Sequence, residues 1–396
     1  MPLETALPDP PLGPPRRALS RASVVVHGGR GAGAVGDPVV TPLSQSVTYR
    51  MAAGPDAEMQ YTGSGNTPNL QLLQRRLALL EGTESATVLS SGTAATVCTM
   101  LALLRSGDHL VASHWLYGGT QQFLERELRG FGVDVTFVDP CETRSWRRAL
   151  RRNTRVLFVE TPVNPTTRLV DLSAPRTIAQ EGGIALVVDS TFATPINFRP
   201  VEHGADVVIH SATKFLNGHH DVLAGVVCGS EAVVDEVRAK MQLWGHAPDP
   251  FALWLLERGL KTLDVRMQRQ NSNALQIAQW ASSQQAFRRV LYPGLASHPD
   301  HALAREVLDG FGSMLIVELA GGPNAASQAV ARLGVFMHAP SLGGVDSLVC
   351  EPRFTSHRHL TSAQREALGI PDGSLRLSVG VEDAGDLIAD LAQAVA

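Results

Sequence analysis

Three short apolar runs in the middle of this 396-residue chain lead into side chains that could do chemistry together. Arg155–Val159 runs into Glu160-Thr-Pro-Val-Asn164-Pro165, Ile184–Val188 into Asp189-Ser-Thr191, and Asp206–Ile209 into His210-Ser211-Ala-Thr213-Lys214. If the runs are strands of one parallel sheet, two acids and a hydroxyl-flanked lysine meet at the carboxyl edge, where open sheets bind ligands. A fourth run, Ala86–Leu89, leads into Ser90-Ser91-Gly92-Thr93 and opens a helix, whose unpaired N–H groups suit an anion such as phosphate. A lysine amine can form an imine with an aldehyde, and a buried carboxylate can keep a ring nitrogen protonated so that the ring accepts electrons.

Those parts together are what pyridoxal 5′-phosphate (PLP) requires, and PLP is the expected cofactor. Each is weak alone: a lysine after a strand is ordinarily a solvated charge, and an aspartate there is ordinarily a helix cap. Their joint occurrence, in order along the chain, carries the reading.

The elements that must position them follow from hydrophobic patterning. Leucines at 70, 73, 77 and 80 predict an amphipathic helix over Asn69–Leu80, and Gly92–Leu104 reads as a helix capped by Ser90 or Ser91. Further strands are expected at His109–Ala112, Val133–Val138 and Gly225–Cys228. Near-continuous Val/Ile/Leu runs separated by helices are the mark of strands buried on both faces of a parallel sheet. After a helix at Leu253–Arg269 the texture changes to an α+β pattern with strands at Ser313–Leu319 and Leu375–Val379. The expected division is an N-terminal arm over 1–60, a large cofactor-binding domain over 61–260 and a small C-terminal domain over 261–396.

Length alone predicts two or three domains at about 150 residues each. With 34 Lys+Arg against 38 Asp+Glu, the chain lacks the basic footprint of a nucleic-acid binder. No apolar stretch reaches the roughly 18 residues of a membrane span, and no signal-like apolar segment opens the chain. Cys98, Cys141, Cys228 and Cys350 are too scattered for a zinc site or a disulfide framework, so no metal and a cytoplasmic location are expected. Residues 1–17 hold six prolines and read as an extended arm. The string Gly31-Ala-Gly-Ala-Val-Gly36 matches a dinucleotide fingerprint, but Pro38 and Pro42 sit where the required helix would run, so it reads as turns in the arm.

The segment Ser211-Ala-Thr-Lys-Phe-Leu-Asn-Gly-His-His-Asp-Val-Leu-Ala-Gly225 resembles the lysine motif of the Cys/Met-metabolism family of PLP-dependent enzymes, which includes cystathionine γ-lyase and γ-synthase, methionine γ-lyase and the homoserine sulfhydrylases. The resemblance extends through Tyr117-Gly-Gly-Thr120, Glu160–Pro165, Asp189–Thr191, Arg258–Leu263, Ser341-Leu-Gly-Gly344 and Arg376–Asp383. It implies the aspartate aminotransferase-like type I fold, with a mixed, mostly parallel sheet. It also implies that Lys214 links covalently to the cofactor and shuttles protons, and that Asp189 pairs with the ring nitrogen. Tyr117 is implied to stack on the ring and serve in acid/base chemistry; its plainer role is core packing. The phosphate would be held by Ser91, Gly92, Thr93, Ser211 and Thr213, with Thr191 beside Asp189 and Asn164 on the ring's 3′ oxygen. Arg376 and Ser341 would clamp the substrate α-carboxylate, Pro340 would line the distal pocket, and Tyr61 would reach cofactor and substrate from a neighbouring subunit. A homodimer, usually within a homotetramer, is implied as the catalytic unit.

Four positions depart from the family pattern. Gly63 stands where an arginine two residues after Tyr61 contacts the phosphate, a loss of about 1.5–3 kcal/mol unless Arg50 or Arg30 substitutes. Ser44 replaces a substrate-facing tyrosine, Pro340 a glutamate of the cystathionine enzymes, and Gly119 a cysteine of methionine γ-lyases. The expectation is γ-elimination or γ-replacement on a sulfur or homoserine-type amino acid, cystathionine lyase or synthase first. O-acylhomoserine sulfhydrylase, methionine γ-lyase or an unusual substrate are the alternatives, and a catalytically degenerate scaffold is the rival of a different class.

Overall fold

The apolar runs between residues 85 and 229 form one seven-stranded sheet: β1 (Ser85–Leu89), β2 (His109–Ser113), β3 (Asp134–Val138), β4 (Thr154–Glu160), β5 (Ala185–Asp189), β6 (Val207–Ser211) and β7 (Gly225–Gly229). The computed structural model describes residues 19–31, 33–54, 57 and 59–396; the proline-rich residues 1–17, expected to be extended, lie outside them. Strand order is β1-β7-β6-β5-β4-β2-β3, with β7 antiparallel to both neighbours and the other pairings parallel. Residues 156–159, 186–188 and 207–209 are fully buried, as continuous apolar strands covered on both faces must be.

The order sets β4, β5 and β6 side by side, so their carboxyl ends form one ledge. Glu160, Asp189 and Ser211 are the last residues of these strands rather than the first residues beyond them, and Glu160 lies directly opposite Asp189. Of the two candidate caps for the helix after β1 it is Ser91 that acts, its hydroxyl accepting from the Ala94 amide at 3.0 Å. The leucine-spaced helix runs Pro68–Glu81 and ends at Gly82 in the left-handed region.

A second sheet has the order β10-β11-β12-β9-β8, built from β8 (Phe287–Leu291), β9 (Met314–Leu319), β10 (Met337–His338), β11 (Leu348–Cys350) and β12 (Ser374–Ser378). The strands expected at 313–319 and 375–379 are β9 and β12. The other three are two to five residues long, too short to show a period. Its core, including Leu315, Val317, Leu375 and Leu377, is distinct from the cores that flank the first sheet.

Two expectations are corrected. The helix expected over Leu253–Arg269 is two helices, Pro250–Leu260 and Leu263–Ser282. The buried Arg266 guanidinium collects the carbonyls of Gly259, Phe215 and Leu216, and Gly259 O accepts from the Thr262 amide in a three-residue turn where the four-residue ladder would otherwise continue. Within the supposed arm, Arg21–His27 is a helix with Val24 and Val25 buried, and Gly28 O accepts from Arg76 Nε at 2.9 Å. Gly31–Gly36 opens no helix among its described residues.

Candidate active site

A cavity of about 660 Å³ opens over the ledge formed by β4, β5 and β6 and is closed from above by loops of the second sheet. Lys214 follows β6 in a tight turn, its amide donating to Ser211 O, and its Nζ donates to Ser341 Oγ at 2.8 Å. Burial, and then the Arg376 charge, lower the lysine to about 8, so the amine is more readily neutral and nucleophilic than a surface lysine. Arg376 projects from β12, its Nη2 donating to Ser341 O at 2.7 Å and its Nη1 to Asn164 Oδ1 at 3.1 Å, while its buried Nε has no partner among the described residues. Ser341 thus touches both cations, and does so with φ of 92°, a conformation that costs a non-glycine residue on the order of 1–3 kcal/mol.

On the ledge, Asp189 Oδ1 accepts from the Thr191 amide at 3.0 Å and its hydroxyl at 2.6 Å, and Thr191 Oγ1 accepts from the Ser211 amide. Glu160 accepts from the Tyr117 amide at 2.6 Å and from the Asn164 amide at 3.1 Å, fixing two residues that line the cavity. Burial and then the Asp189 charge hold Glu160 well above the usual carboxylate range, and burial raises Asp189 as well. Neither acid has an ion-pair partner among the described residues, so the ledge offers negative charge to a bound cation.

The cavity receives Ser91, Gly92, Thr93, Tyr117, Asn164, Asp189, Thr191, Ser211, Thr213, Lys214, Pro340, Ser341 and Arg376, every candidate position except Tyr61. Tyr61 is 43 % exposed and pairs with Thr48 through an antiparallel bridge outside the cavity. Ser44 also lies outside it, its amide bound to Asn69. At Gly119 a Cβ would stand 2.6 Å from the Tyr117 ring, so a cysteine there would displace the tyrosine. Arg30 is drawn toward Glu257, whereas Arg50 is exposed and unpaired among the described residues. The sequence counts Glu160 among the acids of the ledge but assigns it no role, because its position opposite Asp189 is set by cross-strand register and β4 shows no alternation. Phe354, Ser356 and Arg358, from the Pro352–Leu360 segment whose sequence resembles the sulfhydrylase branch of the family, also line the cavity, where the sequence assigned them no role.

The residues present fit PLP. The Gly92 and Thr93 amides have no partner among the described residues, and a Cβ at Gly92 would come within 2.7 Å of Ser211 Cβ, leaving a close backbone cradle beside two hydroxyls. Among the described residues the second oxygen of Asp189 has no hydrogen-bond partner, as an acceptor for a protonated ring nitrogen must.

The family model described as Cys/Met metabolism PLP-dependent enzyme matches residues 22–396. The chain belongs to this family. Among Cys/Met metabolism relatives it is 40 % identical to a cystathionine beta-lyase of Coxiella burnetii, covering 94 % of this chain and 96 % of the relative. It is 38 % identical to an L-methionine gamma-lyase of Pseudomonas putida, again covering 94 % and 96 %. The solved cystathionine gamma synthase of Xanthomonas oryzae, in complex with aminoacrylate and cysteine, superposes with a TM-score of 0.91 at 36 % identity, covering 95 % of this chain and 98 % of that one. The two sheets are those of the type I PLP fold, and the enzyme is PLP-dependent. Among the described residues no helix is long and apolar enough to cross a membrane.

Proposed function

We propose that this chain catalyses PLP-dependent γ-elimination or γ-replacement on a sulfur or homoserine-type L-amino acid, in the manner of the cystathionine γ-lyases and γ-synthases. The observation that carries the reading is the meeting of Lys214, Asp189 and Arg376 with an unoccupied pair of helix-start amides in one cavity. PLP, when bound, supplies the electron sink that lets protons leave the α and β carbons of the substrate.

The chain's own residues do the rest. Ser91, Gly92, Thr93, Ser211 and Thr213 hold the phosphate, and Asp189, oriented by Thr191, keeps the ring nitrogen charged. Arg376 and Ser341 orient the α-carboxylate through a guanidinium fork, which presents the α-hydrogen to Lys214. A lysine lowered to about 8 exchanges protons near neutral pH, the property a shuttle between neighbouring carbons needs. Tyr117, on the cavity wall, would stack on the ring and serve in acid/base chemistry at the leaving group. Pro340 lines the far end of the pocket.

The reading keeps the division into arm, large domain over 61–260 and small domain over 261–396. A second copy supplies Tyr61, within a homodimer that pairs into a homotetramer, in the cytoplasm. Arg50 lies two residues beyond the Thr48–Tyr61 bridge, is exposed, and in this reading substitutes for the arginine absent at Gly63. The relatives carry lyase and synthase names at nearly equal identity, so O-acylhomoserine sulfhydrylase and methionine γ-lyase activities stay in the test.

That test measures 2-oxobutyrate from cystathionine, methionine and homocysteine, and thioether formation from homoserine esters with a thiol. Turnover of at least one substrate, lost together with the yellow colour in Lys214→Ala, is expected. Stable cofactor binding with no turnover would leave the scaffold reading instead.

A further inference from the structure

Five charged side chains line the cavity: Lys214, Arg358, Arg376, Glu160 and Asp189. Four have work within it. Glu160 holds two amides, Asp189 is tied to Thr191, Lys214 donates to Ser341, and Arg376 is set between Asn164 and Ser341. Arg358 alone makes no hydrogen bond or ion pair among the described residues, and its side chain is exposed at the cavity wall.

Exposure by itself describes any solvated arginine. The surroundings of Arg358 set it apart. Its loop is fixed on both sides: Arg365 donates to the carbonyls of His357 and Leu360, and Ser356 Oγ lies 2.8 Å from His357 Nδ1. A Cβ at Gly118 would come within 3.2 Å of Ser356 O and 3.0 Å of the His359 ring, so the loop is seated directly beside Tyr117. The neighbouring Arg353 is neutralised by Glu351 and lies over the Phe354 ring, and Arg365 is paired with Asp372. The loop that carries Arg358 contributes Phe354, Thr355 and Ser356 to the cavity lining beside it, none of them an acid. A fixed backbone, a free guanidinium and an uncharged wall form a site that lacks only its anion.

We infer that Arg358 forms a subsite for an anionic group at the far end of the substrate side chain, selecting amino acids whose γ substituent ends in a carboxylate or a phosphate over those with a neutral tail. The inference rests on the proposed function for its assignment of Arg376 to the α-carboxylate, which leaves Arg358 as the cation for the other end. Cystathionine, whose tail carries both an ammonium and a carboxylate, gains less there, because nothing on that wall neutralises the ammonium.

Two measurements on the holoenzyme test it. The first compares kcat/KM for O-succinyl-, O-phospho- and O-acetyl-L-homoserine with a common thiol. The anionic esters should exceed the acetyl ester by about tenfold, with Arg358→Gln bringing the ratio toward one and Arg358→Lys restoring part of it. Succinyl and phospho arms also decide which anion is taken. The second needs no turnover: L-2-aminosuberate, with a terminal carboxylate, and its neutral counterpart L-2-aminooctanoate have no leaving group. The dicarboxylate should bind more tightly to the wild type and lose that advantage in Arg358→Gln.

If that binding preference is present while neither an ester nor cystathionine, methionine or homocysteine is turned over, the subsite stands and the proposed reaction falls. Equal binding of the two probes by the wild type overturns the subsite. So does an equal loss for both probes in Arg358→Gln, or faster loss of PLP on dialysis with the preference intact, which would assign Arg358 to the cofactor phosphate.

Discussion

Two buried acidic sites behave in opposite ways. Glu257, almost fully buried, is met by Arg76 at 3.0 Å, Lys261 at 3.2 Å and Arg30 at 3.9 Å, and so ties the Pro68–Glu81 helix to the chain's N-terminal segment and to the helix at Pro250–Leu260. Glu160 is buried and Asp189 half-buried; they face each other across β4 and β5 and receive amides and a hydroxyl but, among the described residues, no cation. An acid neutralised by its own chain is holding structure. A pair left with raised proton affinity beside an open cavity is holding a place for a charge that arrives with a ligand.

The contrast can be broken or sharpened by measurement. Glu257→Ala leaves Arg76 buried without a counter-charge and should cost about 3–5 kcal/mol in urea unfolding, with turnover little changed. Asp189→Asn should do the reverse, lowering kcat/KM by roughly 10²–10³-fold while the melting temperature holds or rises, because one of two like charges is gone. If Asp189→Asn destabilises the apoenzyme as much as Glu257→Ala does, the distinction fails.

The lysine extends the contrast to the basic side of the cavity. A base lowered to about 8 gains its neutral form as pH rises through that value, so PLP capture by apoenzyme should speed up by about tenfold between pH 7 and 9. Stopped-flow absorbance reads this directly, and a flat profile would place the lysine elsewhere. The smallest effect is expected at the subunit boundary. Gly63→Arg should slow PLP loss on dialysis by a few-fold, and Arg50→Ala should hasten it, the scale of a partly exposed ion pair. A Cβ at Gly63 would meet the Tyr61 ring at 2.9 Å, so part of the gain goes into moving that ring.

The large sheet and the catalytic ledge were legible because both are local signals: Val156–Val159 or Leu186–Val188 announce a buried strand, and the next chemical residue announces the site. What cross-strand register and distant side chains determine was hidden. Glu160 stood in the quoted motif, but only its position opposite Asp189 shows that it is a buried acid holding two amides. The helix break at Lys261–Thr262 is made by Arg266 reaching back to carbonyls from two separate segments, which no periodicity records. Val24 and Val25 look like part of a loose arm until the Pro68–Glu81 helix is there to receive them. The place of Arg358 was hidden for a related reason: an arginine between two histidines meets the cavity only once the loop is folded over it.

Ser341 has a consequence for how substitutions combine. Its hydroxyl serves Lys214 and its carbonyl serves Arg376, from a backbone conformation that few replacements adopt without strain. Changes at these three positions will therefore not add: once Ser341 is altered, the setting in which Lys214 and Arg376 act has changed for both. In a combinatorial library this triad would appear as a block of epistasis, passing through one serine that joins the two sheets.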